Sequence, residues 1–252
     1  MIRIQELKKS FGPKHILKGV DLQVGKGESL VILGGSGTGK SVLLRHVVAL
    51  LRPDSGEVWV DGQRIDTLSG AELRQIRHKF GFAFQEAALF DSMSVYENVA
   101  FPLRRHRRNL GEKAIEERVS ECLSMVGMPG VAELMPSELS GGMRRRVGFA
   151  RAIALEPEIL LFDEPTSGLD PVMTSIINDV IITLRQELNA TTITITHDLA
   201  SARTIATHLA LLVAGKVVEY GERDHFFNST NPMVRQFLEG RADGPVTKTL
   251  LK

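Results

Sequence analysis

The chain has 252 residues, 43 % of them hydrophobic and 24 % charged, with a formal net charge of +1. That length suits one large α/β domain or two small lobes around a sizeable core, and the near-zero charge argues against a nucleic-acid binder driven by bulk charge. No apolar run approaches the roughly 18–20 residues that span a bilayer, the N-terminus lacks the apolar centre of a secretion signal, and the single Cys122 fits a reducing, cytoplasmic setting.

Ile2 to Leu7 alternates apolar and polar residues and predicts an edge strand. Ser10-Phe11-Gly12-Pro13 reads as a turn, and Val20, Leu22 and Val24 alternate in a second strand. Ser29 to Leu33 predicts a short buried strand, Gly34 to Ser41 a glycine-rich loop, and Val42 to Leu50 a helix. Glu57 to Val60 is a strand and Asp61-Gly62 a hairpin signal. The N-terminal part is thus rich in antiparallel strands around a central strand–loop–helix unit.

Ser69 and Glu72 form a capping box for a helix through Arg77, and Phe80 to Phe84 reads as a buried strand ending at Gln85. From about residue 86 to 155 the pattern turns helical, which predicts a lobe inserted into the α/β core. Ser94 and Glu97 cap a segment with Val95, Tyr96, Val99 and Phe101, and the basic run Arg104 to Arg108 follows. A helix with Ile115, Val119, Cys122, Leu123 and Val126 on one face stops at Gly127. Ser140 is the N-cap of a helix running to Leu155.

Ile159 to Phe162 is a wholly apolar strand that runs into Asp163 and Glu164. Pro171 to Leu188 predicts a helix with Val172, Ile176, Val180, Leu184 and Leu188 in register. Thr191 to Thr196 alternates as a strand that ends at His197. Two strands, Leu209 to Val213 and Lys216 to Tyr220, and a last helix from Pro232 to Glu239 complete the pattern. The tail from Gly240 onward shows no clear period.

The loop Gly34-Gly35-Ser36-Gly37-Thr38-Gly39-Lys40-Ser41 has the spacing of a phosphate-binding loop. Its glycines let backbone N–H groups turn inward on a polyphosphate, and the helix that follows adds its partial positive charge. Lys40 is placed to reach the terminal phosphates, and the Ser41 hydroxyl to ligate Mg²⁺. Gln85, Asp163-Glu164 and His197 also follow buried strands directly, where ligands bind in open parallel sheets. Asp163 suits the Mg²⁺ shell, and Glu164 suits accepting a proton from, or orienting, the attacking water. Gln85 could touch Mg²⁺ or that water, and His197 could meet the γ-phosphate.

Ser140-Gly141-Gly142 opens a second helix and is a second anion-binding terminus. One nucleotide cannot use two such sites facing different ways within one compact chain. A dimer resolves this: the second terminus closes over the γ-phosphate held by the other copy's loop, and Asp170 lies at the two-fold seam.

With these residues in place, the chain resembles the ATP-binding cassette ATPases over nearly its whole length. The resemblance implies Phe11 as the adenine-stacking aromatic, Gly34 to Ser41 as Walker A and Gln85 as the Q-loop. It implies Leu139 to Met143 as the signature, Ile159 to Asp163 as Walker B, and Glu164 as the catalytic carboxylate. Ser167 to Asp170 then match the D-loop and His197 the switch histidine. Val42 stands where a second hydroxyl residue is common, so only its backbone N–H is expected at the α-phosphate. Met143 replaces the usual signature glutamine.

The implied fold is α/β, a P-loop NTPase of cassette type. It has a mixed RecA-like core, an antiparallel β subdomain and an inserted helical subdomain at about 86–155, all within 1–240, and a C-terminal tail at 241–252. The stretches FAFQEAALFDSMSVYENVAFPLR and LSGGMRRRVGFARAIALEPEILLFDEP further resemble the ATPases of Mce/Mla-type lipid transporters. That finer resemblance implies a homodimer binding ATP and Mg²⁺ at the cytoplasmic face of the inner membrane. Its implied partners are a permease, an Mce-domain protein and often a STAS-domain protein, with phospholipid as cargo. A solute-importer ATPase shares the same cassette. A non-transport cassette ATPase acting on nucleic acid usually carries a long insertion or two cassettes, which this chain does not show.

Overall fold

A computed structural model describes residues 1–250. In chain order the elements are β1 (Ile2–Phe11), β2 (Lys14–Val24), β3 (Ser29–Leu33), α1 (Lys40–Val47), β4 (Ser55–Val60), β5 (Gln63–Arg64) and α2 (Gly70–Arg77). Then come β6 (Phe80–Ala83), α3 (Val95–His106), α4 (Glu112–Met125), α5 (Gly141–Ile153), β7 (Ile159–Asp163), α6 (Pro171–Glu187) and β8 (Thr191–Thr196). The last are α7 (Leu199–Ile205), β9 (His208–Val213), β10 (Lys216–Glu222), α8 (Arg223–Phe227), α9 (Pro232–Glu239) and α10 (Pro245–Leu250). Two compact units form: residues 1–77 with 193–252, and residues 78–192.

In the first unit one sheet has the order β2-β1-β4-β5. β1 pairs antiparallel with both β2 and β4, so it is an inner strand and not the edge strand its sequence suggests. Ile2, Ile4 and Leu7 are buried as a consequence. The expected turn at residues 10–13 narrows to Gly12-Pro13, because Phe11 still pairs with Lys14. Asp61 and Gly62 both take positive φ, 49° and 77°, and join β4 to β5 as a tight hairpin. The second sheet of this unit runs β10-β9-β3-β8, with β3 and β9 parallel. Leu30 to Leu33 are buried, as the apolar run predicts.

The second unit pairs β6 and β7 in parallel, Ala83 opposite Phe162, and packs α5 against β6. Gly81 allows this approach, since a Cβ there would lie 2.5 Å from the Ala152 carbonyl oxygen of α5. The stretch Phe80 to Phe84 is only partly buried, and Phe84 is 43 % exposed. Ser94 and Glu97 make the expected capping box on α3. The expected α6 stripe is displaced. Val172 is 70 % exposed and Ile176 37 %, while Ile177, Val180, Ile181 and Leu184 face the core.

The tail is not featureless. α10 docks on α9 through Gln236, which accepts from Val246 N and donates to Thr247 Oγ1 at 2.7 and 2.9 Å. Leu251 and Lys252, the end of the tail, lie outside the described residues.

Candidate functional site

In the first unit the glycine loop closes on itself. Lys40, only 7 % exposed, donates from Nζ to the carbonyls of Gly34 (2.7 Å) and Gly35 (3.1 Å). Thr38 Oγ1 donates to the Gly35 carbonyl at 3.0 Å. A Cβ at Gly34 would lie 2.6 Å from the Leu212 carbonyl oxygen, and Gly39 has φ 105° with Leu17 and Ile16 against it. Side chains therefore cannot replace these two glycines without moving the loop. Ser36 and Gly37 are exposed at its tip. No side chain caps α1, and its first turn carries no acidic residue. Such an uncapped terminus suits an anion.

Within the same sheet β8 neighbours β3. His197 follows β8 as Gly34 follows β3, and it is exposed. Its turn is fixed by Asp198, which donates from its N–H to Thr196 Oγ1 at 3.0 Å and accepts from Ala200 N at 3.0 Å. Phe11 ends β1 with 49 % of its surface exposed, and the Lys9 ammonium lies 5.6 Å from its ring centroid.

In the second unit the parallel register of β6 and β7 brings Gln85 and Asp163-Glu164 to the same edge. Gln85 is exposed, and Asp163 and Glu164 are half-buried. Glu164 takes φ 48°, a left-handed conformation costing about 1–2 kcal/mol for a residue with a side chain. Ala87 and Ala88 behind Gln85 are also left-handed, at φ 60° and 48°.

Ser140 caps α5, its Oγ accepting from Met143 N at 3.3 Å. Gly142 faces Met173 so closely that any Cβ would overlap its methyl group. The start of α5 is thus set against the start of α6. Asp170 caps α6, Oδ1 accepting from Val172 N (2.9 Å) and Met173 N (3.0 Å).

Sequence reasoning passed over two arginines of α5. Arg145 donates to the carbonyls of Gln85 (3.3 Å), Pro165 (3.0 Å) and Ser167. Arg151 donates to the Ala87 carbonyl at 2.8 Å and lies over the Phe90 ring. The signal was faint: arginines are common on helix surfaces, and only burial distinguishes these.

The apolar cluster after Gln85 divides. Val95 and Leu103 are core, whereas Phe90 and Phe101, their rings 4.9 Å apart and tilted by 52°, are each 41 % exposed. Met93, Glu97, Phe101, Arg104 and Arg105 line a shallow cavity of about 330 Å³. In the basic run, Arg104 pairs with Glu112 and Arg107 with Glu156.

Among the described residues no group of three or more His, Cys, Asp and Glu could hold a metal ion. Within the second unit, Gln85 and Asp163 at the shared edge of β6 and β7 carry oxygen donors of the kind a hard cation takes. No helix among the described residues is long and apolar enough to cross a membrane.

The family described as ABC transporter matches residues 17–167. The probable ribonucleotide transport ATP-binding protein mkl of Mycobacterium leprae is 44 % identical over 97 % of this chain and 70 % of its own length. The intermembrane phospholipid transport system ATP-binding protein MlaF of Haemophilus influenzae is 42 % identical over 98 % of this chain and 93 % of its own. The dimeric post-hydrolysis structure of the ATP-binding cassette MJ0796, bound to ADP and Pi, superposes with a TM-score of 0.81. It is 33 % identical, over 88 % of this chain and 99 % of that one.

Proposed function

The chain belongs to the ATP-binding cassette transporter family, and on that premise we propose that it is the ATPase that drives phospholipid transport between inner and outer membranes. The observation that carries the lipid reading is coverage. This chain accounts for 93 % of the MlaF relative but 70 % of mkl, whose printed cargo is ribonucleotide.

ATP enters as substrate, held by the Gly34–Gly39 backbone and by Lys40 and Ser41, with the Val42 N–H at the α-phosphate. Mg²⁺ at Ser41, Gln85 and Asp163 would neutralise charge developing on the phosphoryl oxygens. Lys40 exchanges its two carbonyl partners for phosphate oxygens, a stronger charge-assisted pairing. Glu164 accepts a proton from, or orients, the attacking water, and His197 holds the γ-phosphate from the adjoining strand end. Phe11 stacks on the adenine. Ser140-Gly141-Gly142 of a second copy closes the site, with Asp170 near the seam. Because the Asp170 carboxylate already caps α6, its part there is to fix that helix start.

The partners in this reading are a permease received by the exposed Phe90–Phe101 surface, an Mce-domain protein and a STAS-domain protein. The chain sits peripherally on the cytoplasmic face. The test is copurification from membranes. A permease with bound phospholipid is expected, together with lipid-dependent stimulation of ATP hydrolysis. Stimulation by ribonucleotide or another solute, with no lipid recovered, would overturn the cargo assignment.

A further inference from the structure

α5 begins at Ser140-Gly141-Gly142 and carries three consecutive arginines, Arg144 to Arg146. The middle one bonds only main-chain oxygens, from three points on two separate loops: Gln85 O at 3.3 Å, Pro165 O at 3.0 Å, and Ser167 O. Burial pulls its guanidinium below the usual arginine range.

These three carbonyls are not equivalent parts of the surface. Gln85 follows β6, Pro165 adjoins the strained Glu164, and Ser167 opens the turn that ends at Asp170. The turn just before it, Glu164 to Ser167, is closed by Ser167 N donating to Glu164 O at 3.2 Å. A guanidinium is a rigid planar fork, so donors at fixed spacing impose fixed spacing on the acceptors. Arg151, six residues on, provides the contrast. It holds Ala87 O at 2.8 Å, the Phe90 ring at 5.5 Å and Asn98 Oδ1 at 3.5 Å, and so ties the loop after β6 to α3 rather than to the Glu164–Asp170 loop.

We propose that Arg145 is a positioning residue for ATP hydrolysis, holding the Gln85 loop and the Glu164–Asp170 loop in one register. It rides on the helix whose first turn is the second anion site, so movement at that turn is passed to both loops together. This inference rests on the ATPase reading of those loops.

The test uses the full-length chain with Arg145→Lys, Arg145→Gln and Arg151→Lys. Lysine keeps the charge but is a point donor that cannot span three carbonyls. Arg145→Lys is expected to lower kcat about 100-fold, the scale of a misplacement near 1 Å. KM and nucleotide affinity should stay within about twofold, because the interaction acts on the reacting geometry and not on ground-state binding. Hydrogen exchange on nucleotide-free protein should quicken about tenfold in 85–88 and in 165–170 together. Arg151→Lys should quicken 85–88 and leave 165–170 unchanged. Arg145→Gln, smaller and neutral, decides the matter if the lysine variant does not fold.

Unchanged kcat, loosening of one loop alone, or a fall in affinity matching the fall in kcat would each overturn the proposal. Because exchange is read without nucleotide, it judges the clamp even if the wild-type chain shows no hydrolysis. That last result would instead sink the ATPase reading.

Discussion

Lys40 sits under the glycine loop with its ammonium on the carbonyls of Gly34 and Gly35, so it both braces the loop and stands ready for phosphate. Lys40→Ala removes both roles. Nucleotide affinity should fall about tenfold or more in equilibrium titration, and unchanged affinity would contradict the cradle. Gly142 makes a sharper case. Gly142→Ala drives a methyl into the end of the Met173 side chain, so that thioether must turn aside where α5 meets α6, and turnover should drop while folding is kept. Adding Met173→Ala opens that space, and activity should return in the double variant. No recovery would mean that Gly142 matters for something other than packing. At this scale the sequence was legible where chemistry is local: eight consecutive residues spell out the loop. It was mute where partners are distant. Arg145 and the Gln85 carbonyl are 60 residues apart, and no spacing rule connects them.

α3 shows how one side chain fixes an element's entry. Asn98 is fully buried, accepts from Phe90 N at 2.8 Å, and donates to the carbonyls of Phe90, Met93 and Ser94 at 3.0–3.1 Å. Asn98→Leu keeps the size but orphans those groups, at a cost of about 3 kcal/mol. The urea midpoint should fall accordingly, and a shift near zero would show that water replaces the amide. His46 on α1 carries the pH dependence. Burial holds its imidazole below the usual histidine range, and its Nδ1–H donates to the Val42 carbonyl at 2.7 Å. The unfolded chain therefore takes up the proton first. The His46 contribution is present above the unfolded pKa of about 6.5 and is lost as pH falls towards the depressed folded value. Stability should decline as pH falls below about 6.5, and less so in His46→Met. An identical decline in both proteins would remove His46 from that role. Periodicity gave most elements but not their neighbours. Alternation in β8 suggests one wet face, yet all six residues are buried. β1 reads as an edge and lies inside its sheet, because pairing on its second side depends on β4, some fifty residues away. α10 escaped notice because Gln236, not an apolar stripe, organises its docking.

For the whole molecule, one chain offers two helix starts suited to anions, at Lys40 and at Gly141, on separate compact units. The exposed Val172 and Ile176 flank the turn that ends at Asp170. A second copy gives both starts a nucleotide to share, and family membership makes that arrangement the one to test. Glu164→Gln removes the carboxylate proposed to activate water and leaves the proposed phosphate contacts, so ATP should bind, persist and hold two copies together. The most direct measurement is the mass of this variant in solution with ATP. Two copies are expected, twice 27.8 kDa, with collapse to one copy when Ser140→Arg is added although ATP still binds. An ATP-loaded Glu164→Gln protein that remains at 27.8 kDa, or one that stays dimeric with Ser140 replaced, would contradict the shared site.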